Sequence, residues 1–357
     1  MRDPAILPRG SNRRPFPSPV LPLARIAVVF LFVLCGASAF AQNPAQIPPP
    51  QKIPPPPGAV QNNGKTYTMK KNVDMVRLPV TVVDKKGNFV QGLKEQNFRV
   101  FEDKVPQKIS AFSDADIPIS VGLLIDNSGS MRSKRPRVNE AAMDFVKSSN
   151  PQDQVFVVNF NDEYYLDMDT DFTNSPKVLR AALSRIDSRG GTALYDAILG
   201  SMYHLRKGTR EKKVLLVITD GEDNASTHNL AYVVHKLQQS NIEIYAVGLF
   251  TRGDDSWHEI RDGKKALNDL AEASGGEAFF PSTLDQVNEV CERIAQDIRA
   301  QYMIGYYPSD TAKDGTYRTV KVELVNVKHH GKLSVRARPG YYAPKAAPEA
   351  AQAVSGN

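Results

Sequence analysis

Four stretches between residues 119 and 281 are apolar without alternation: Val121 to Ile125, Val155 to Val158, Val214 to Ile218 and Ile244 to Leu249. Unbroken runs of this length mark strands buried on both faces, as in parallel sheets covered by helices. Helical patterns lie between them. Ser175 and Pro176 supply an N-cap and a proline at the first helical position, with Leu179, Ala182, Leu183 and Ile186 following on one face. A second helix carries Leu230, Val233, Val234 and Leu237 and ends before Asn241, and a third carries the stripe Leu284, Val287, Cys291, Ile294, Ile298. Strand and helix in repetition predict an α/β fold with a doubly wound, mostly parallel sheet, whose ligands bind at the carboxyl ends of the strands.

The flanks follow a period of two. Val76, Leu78, Val80 and Val82 alternate with Arg77, Pro79 and Thr81. Val320, Val322 and Leu324 alternate with Lys321 and Glu323, and Leu333, Val335 and Ala337 repeat the pattern. That is the mark of sheets solvated on one face. Asp84 to Asn88 and the His329-His330-Gly331-Lys332 stretch read as hairpin turns. Each flank has too few strands for a core of its own, so residues 66–116 and 301–343 are expected to join into one flanking β-sandwich, with the α/β domain of residues 117–300 inserted between them.

The N-terminal 65 residues bury nothing by pattern. Arg25 precedes an apolar run from Ile26 to Gly36, and Ala39-Phe40-Ala41 fits a signal-peptidase site before Gln42, so residues 1–41 read as an export signal cleaved after Ala41. The run is too short for a spanning helix, which leaves no integral membrane span in the mature chain. Residues 42–65 contain two proline runs and read as a stiff linker, and residues 344–357 as a disordered tail. With Cys35 removed, Cys291 is the remaining cysteine of the two, so no intrachain disulfide is expected, and its place on an apolar helix stripe predicts an inert buried thiol. The net charge of +6 invites a nucleic-acid reading. Five of the basic residues and one acid fall within residues 1–41, so the mature chain is close to neutral and no nucleic-acid partner is expected.

The candidate chemistry lies where strands end. Asp126-Asn-Ser128-Gly-Ser130 follows the first buried run, Thr219-Asp220-Gly221 follows the third, and Gly190-Gly191-Thr192 opens a helix. If these loops share one sheet edge, Asp126, Ser128, Ser130, Thr192 and Asp220 converge as two carboxylates and three hydroxyls. All are hard oxygen donors, suited to Mg2+, with Ca2+ or Mn2+ as alternatives. Any one fragment alone reads equally as a turn with an N-cap. Asp196, Glu222 and Asp223 are set aside as helix-start and loop acids. Lys134, Arg135 and Arg137 read as a solvated helix start, with steering of an acidic partner as the alternative.

The set resembles the metal-ion-dependent adhesion site of von Willebrand factor type A domains, over roughly residues 117–300, and all five motif positions match. The resemblance implies a Rossmann-like domain in which the serines and threonine touch the metal, the aspartates hold it directly or through water, and a partner's acidic side chain completes the shell. The flanking segments Phe98 to Asp103 and Arg338 to Tyr342 look like those of bacterial secreted proteins carrying this domain. The expected function is an exported, periplasmic or extracellular, metal-dependent protein-binding module rather than an enzyme, with an envelope assembly factor as the alternative. A metal-dependent phosphatase-like hydrolase is disfavoured, since Ser128 stands where such enzymes place a second aspartate, and no phosphate loop, zinc-type His spacing or nucleophile elbow is present.

Overall fold

The computed structural model describes residues 74–185, 188–250, 256–327 and 331–346, together with the short pairs 14–15, 61–62 and 65–66. Residues 19–72 form a separate unit in which Gln61–Asn62 pairs antiparallel with Lys65–Thr66. The expected export signal, proline-rich linker, His329-His330 turn and most of the tail lie outside the described residues. Among the described residues no helix is long and apolar enough to cross a membrane.

The α/β layer is built on strands β5 (Ile119–Asp126), β6 (Gln154–Phe160), β8 (Lys212–Thr219) and β9 (Ile242–Gly248). Short strands extend both edges: β7 (Tyr164–Leu166), which runs antiparallel to β6, and β10 (Ala278–Phe279), which is parallel to β9. The order is β7-β6-β5-β8-β9-β10, and the Arg14–Pro15 pair lies against β7. Every residue of β5 and β9 is buried, as their unbroken apolar runs require. From β5 the chain winds through helix α1 (Arg135–Ser148) to β6, then crosses back through α2 (Pro176–Leu183) and α3 (Leu194–Leu205) to β8 on the other side. The order therefore reverses between β5 and β8, which opens a crevice outside their carboxyl ends. Helices α4 (Leu230–Gln238), α5 (Trp257–Ser274) and α6 (Gln286–Ala300) complete the layer. Cys291 is buried on α6, where burial pushes its thiol up to about 12, so it stays protonated and unreactive.

The flanking segments interleave into two antiparallel four-stranded sheets. One has the order β13-β1-β11-β4, from β1 (Val76–Val83), β4 (Ile109–Ser113), β11 (Tyr302–Tyr306) and β13 (Ser334–Arg336). The other has the order β14-β12-β2-β3, from β2 (Phe98–Glu102), β3 (Val105–Gln107), β12 (Tyr317–Leu324) and β14 (Gly340–Tyr342). Each sheet mixes strands from before and after the α/β layer, and Leu78, Val80, Phe98, Tyr302 and Ile304 fill a core distinct from that of the α/β layer. Glu102 accepts hydrogen bonds from Tyr306 (2.7 Å) and Tyr341 (2.8 Å), which joins the two sequence segments singled out on the flanks. The chain stays paired past the expected start of the tail, since Lys345 bridges Asp314.

Thr81 departs from the alternation: it is 2% exposed rather than solvated. Helix α6 covers this side of β1, and Thr81 donates to Asp297 at 2.7 Å. Asp297, itself 1% exposed, is paired with Arg336 of β13, which also pairs with Glu277. This polar joint fastens the last helix of the α/β layer to the sandwich. Removing one partner of a buried pair strands the other charge. Arg336→Met is therefore expected to lower the unfolding free energy by about 3 kcal/mol in urea titrations, and adding Asp297→Asn should recover at least half of the loss. A single variant as stable as the wild type would show that the joint carries no stability.

Candidate functional site

Strand β5 ends on Asp126, which is fully buried, and β8 ends one residue before Asp220, which is 2% exposed. The two strands are parallel neighbours, and their register sets Ile125 beside Ile218, so that Asp126 comes beside Thr219 and Asp220 is the next residue past the strand end at the switch point. Asp126 Oδ1 accepts the Ser128 backbone N–H at 2.8 Å, and Oδ2 accepts the Thr219 hydroxyl at 2.5 Å. Ser128 occupies the N-cap position of a 3-10 turn, Gly129–Met131, yet its hydroxyl makes no capping bond. Instead, it lies 3.2 Å from Ser130 Oγ, and Ser130 Oγ donates to Asp220 Oδ1 at 2.8 Å. The N-cap reading of the Asp-x-Ser-x-Ser fragment is thus not what the fold uses. Ser130 is exposed while Asp126, Ser128 and Asp220 are buried, so the cluster has a dry floor and an open rim.

Thr192 arrives on a loop fitted to the other two. Gly129 N–H donates to Gly190 O at 3.3 Å, and Thr192 N–H donates to Asn224 Oδ1 at 2.8 Å. The Thr192 hydroxyl lies 3.5 Å from where a Cβ on Gly221 would stand, beside the Asp220 turn. Both glycines before it are required. Gly190 has φ +68°, and a Cβ there would sit 1.8 Å from an Asp162 oxygen, while one on Gly191 would sit 2.5 Å from Asn224 Oδ1. Asp162 accepts the Gly191 N–H at 2.7 Å and so fixes the loop from the end of β6. Asn127 adds a further tie, its Oδ1 accepting the Ser188 hydroxyl at 2.9 Å.

Two of the three acids set aside in the sequence, Asp196 and Asp223, have scaffold partners. Asp223 accepts the Tyr195 N–H and the Ser226 hydroxyl. Asp196 accepts the backbone N–H and hydroxyl of Thr227 and the backbone N–H of His228. Sequence reasoning missed Asp162, Asn224 and Thr219; the one signal for them is a polar residue at or just beyond the same strand ends. It misread Lys134 and Arg135, which are not a solvated helix start. Lys134 Nζ lies 2.5 Å from Asp220 Oδ2, with 10% of its side chain exposed. Arg135 is fully buried and donates to Asn159 Oδ1 (2.8 Å), Leu183 O (3.0 Å) and Asp126 O (3.4 Å). Arg137 alone fits the expectation, pairing near the surface with Glu140 and Asp285.

Burial pushes the Asp126 carboxyl up to about 6, and the neighbouring Asp220 charge adds to the rise, against the hydrogen bonds from Thr219 and Ser128. With Asp220 paired to Lys134, Asp126 has neutral hydrogen-bond donors and, among the described residues, no direct ion pair, although the buried Arg135 guanidinium attracts its charge. Two carboxylates and three hydroxyls make a donor set that fits a hard divalent cation.

The folded protein without metal binds a proton at Asp126 more tightly than the unfolded chain, whose carboxyl titrates near 3.8. Its stability therefore falls as pH rises from about 4 to about 6. In chelator at pH 7.5, Asp126→Asn should raise the unfolding free energy by roughly 3 kcal/mol, and the gain should shrink below pH 6 and vanish near pH 4. A variant no more stable than the wild type at pH 7.5 would mean that Asp126 is not strained by its charge.

The family model for the von Willebrand factor type A domain matches residues 120–293. No curated protein gave a significant match. Similar solved structures include a von Willebrand factor type A protein from Catenulispora acidiphila, 14% identical, covering 78% of this chain and 76% of that one at a TM-score of 0.45. The PilB minor pilin from Streptococcus sanguinis is 16% identical, with 53% of this chain and 63% of the pilin covered at a TM-score of 0.42. Proximal thread matrix protein 1 from the mussel byssus, solved with zinc occupying its MIDAS motif, is 18% identical, with coverages of 55% and 49% and a TM-score of 0.43. Residues 120–293 of this chain form a von Willebrand factor type A domain.

Proposed function

We propose that Asp126, Ser128, Ser130, Thr192 and Asp220 hold a divalent cation, Mg2+ first and Ca2+ or Mn2+ as substitutes, in an exported module that recognises an acidic group on a protein partner. The observation that carries this reading is a buried carboxylate at the dry floor of a cluster of oxygen donors whose rim, at Ser130, faces solvent. Such a cation supplies a Lewis-acidic position that an incoming carboxylate can fill. The chain's own part is to hold the five donor side chains in place. Asp126 is held by the Ser128 N–H and Thr219, and Thr192 by Asn224 and the two glycines that Asp162 clasps. Asp196 and Asp223 are engaged by backbone and hydroxyl donors, which favours a scaffold role for them over proton transfer. Periplasmic or extracellular placement follows from the signal pattern in residues 1–41.

Ser128→Ala and Thr192→Ala, which remove donors without removing charge, should each weaken Mg2+ binding by at least about tenfold in calorimetric titrations. Immobilised protein should retain a partner from an envelope extract in Mg2+ and release it on chelation, and the Asp126→Ala, Ser128→Ala double variant should retain none. Retention that survives both chelation and the double variant would assign recognition to another surface.

A further inference from the structure

Lys134 is a cation already within the candidate metal site. Its ammonium lies 2.5 Å from Asp220 Oδ2 while the Ser130 hydroxyl holds Oδ1, so both oxygens of that carboxylate are engaged. The pair is withdrawn from water, with the Lys134 side chain 10% exposed and that of Asp220 fully buried. It comes from the turn between the Gly129–Met131 segment and α1, within one loop of both serines. A flexible four-carbon stem lets an ammonium leave such a position, as a rigid guanidinium fork would not. Two positive charges in so dry a place repel strongly.

We propose that Lys134 is a built-in counter-cation that competes with the divalent ion for Asp220, holding the site together without metal and keeping metal binding weak enough to reverse. The inference rests on reading the five residues as a cation site, and it makes Lys134 a positioning and affinity-setting residue rather than a ligand. Binding of metal then requires the ammonium to release or share Asp220. The same lysine supplies, in the metal-free protein, the compensation that keeps two neighbouring carboxylates in one buried floor.

The test is a calorimetric titration of the full protein with Mn2+ alone, alongside thermal unfolding in chelator and in saturating Mn2+. Lys134→Met should bind Mn2+ at least about tenfold more tightly than the wild type, the scale on which outer-shell partners tune metal sites. It should also unfold at a lower temperature in chelator, so that the stabilisation by Mn2+ widens. Lys134→Gln, which keeps a hydrogen bond to Asp220 and loses the charge, should show the same gain in affinity. A wild type that binds Mn2+ with both variants no tighter would overturn the competitor role alone. Variants that stay unfolded even in saturating Mn2+ would overturn it too, because the metal should replace the missing charge. If neither wild type nor variants bind Mn2+, the cation-site reading itself fails.

Discussion

The structure turns on a single electrostatic constraint: two interacting carboxylates, Asp126 and Asp220, lie at the ends of adjacent parallel strands, away from water. Hydrophobic burial places them there. Strands β5 and β8 are apolar on both faces and so take the centre of the sheet, and whatever follows their last apolar residue is delivered to the switch point. A sheet of this kind does not choose its central strands for chemistry, yet their ends inherit the least solvated edge of the molecule. There an acid raises the energy of the fold unless a cation answers it. Lys134 answers one of the two directly.

Much of the surrounding loop structure follows from that constraint. The buried carboxylates cannot be left without donors, so each has assigned partners: Ser128 N–H and Thr219 for Asp126, Ser130 and Lys134 for Asp220. The third loop approaches so closely that it has no room for side chains at Gly190 and Gly191, whose places are filled by Asp162 and Asn224. Those two residues hold the glycine loop from opposite sides, one from the end of β6 and one from the loop after β8. The hydroxyls of Ser128 and Ser130 are therefore left facing one another rather than spent on capping.

How far the sequence revealed this depends on whether local pattern or distant packing decides each position. The buried runs were legible because a strand covered on both faces excludes polar residues along its length, as Val121 to Ile125 and Val214 to Ile218 do. The residues gathered at the site were legible because they directly follow those runs or open a helix. Lys134 and Arg135 were not, since a basic pair after a loop is usually solvated, and only the fold shows Asp220 above one and Asn159 beside the other. Asp162 and Asn224 escaped for a related reason: their partners lie about thirty residues away, on a loop whose course no periodicity reports. Thr81 looked outward by alternation and is covered by α6, because the second face of β1 belongs to the other layer.

The sandwich explains why the site can be strained and the molecule still ordered. Its contacts with the α/β layer gather at the opposite end of the sheet, where β8 and β9 begin. Gln301 donates to Glu243 and Tyr245, and Arg338 reaches Ser240 O. Helix α6 runs directly into β11, the strand between β1 and β4, so the α/β layer is held to the sandwich by covalent connection as well as by Arg336 and Asp297. The fastening contacts thus lie at the starts of the strands and the candidate site at their ends. The open rim at Ser130 lies at the end of the sheet that the sandwich leaves free, and a cation held there would offset the buried charge of Asp126.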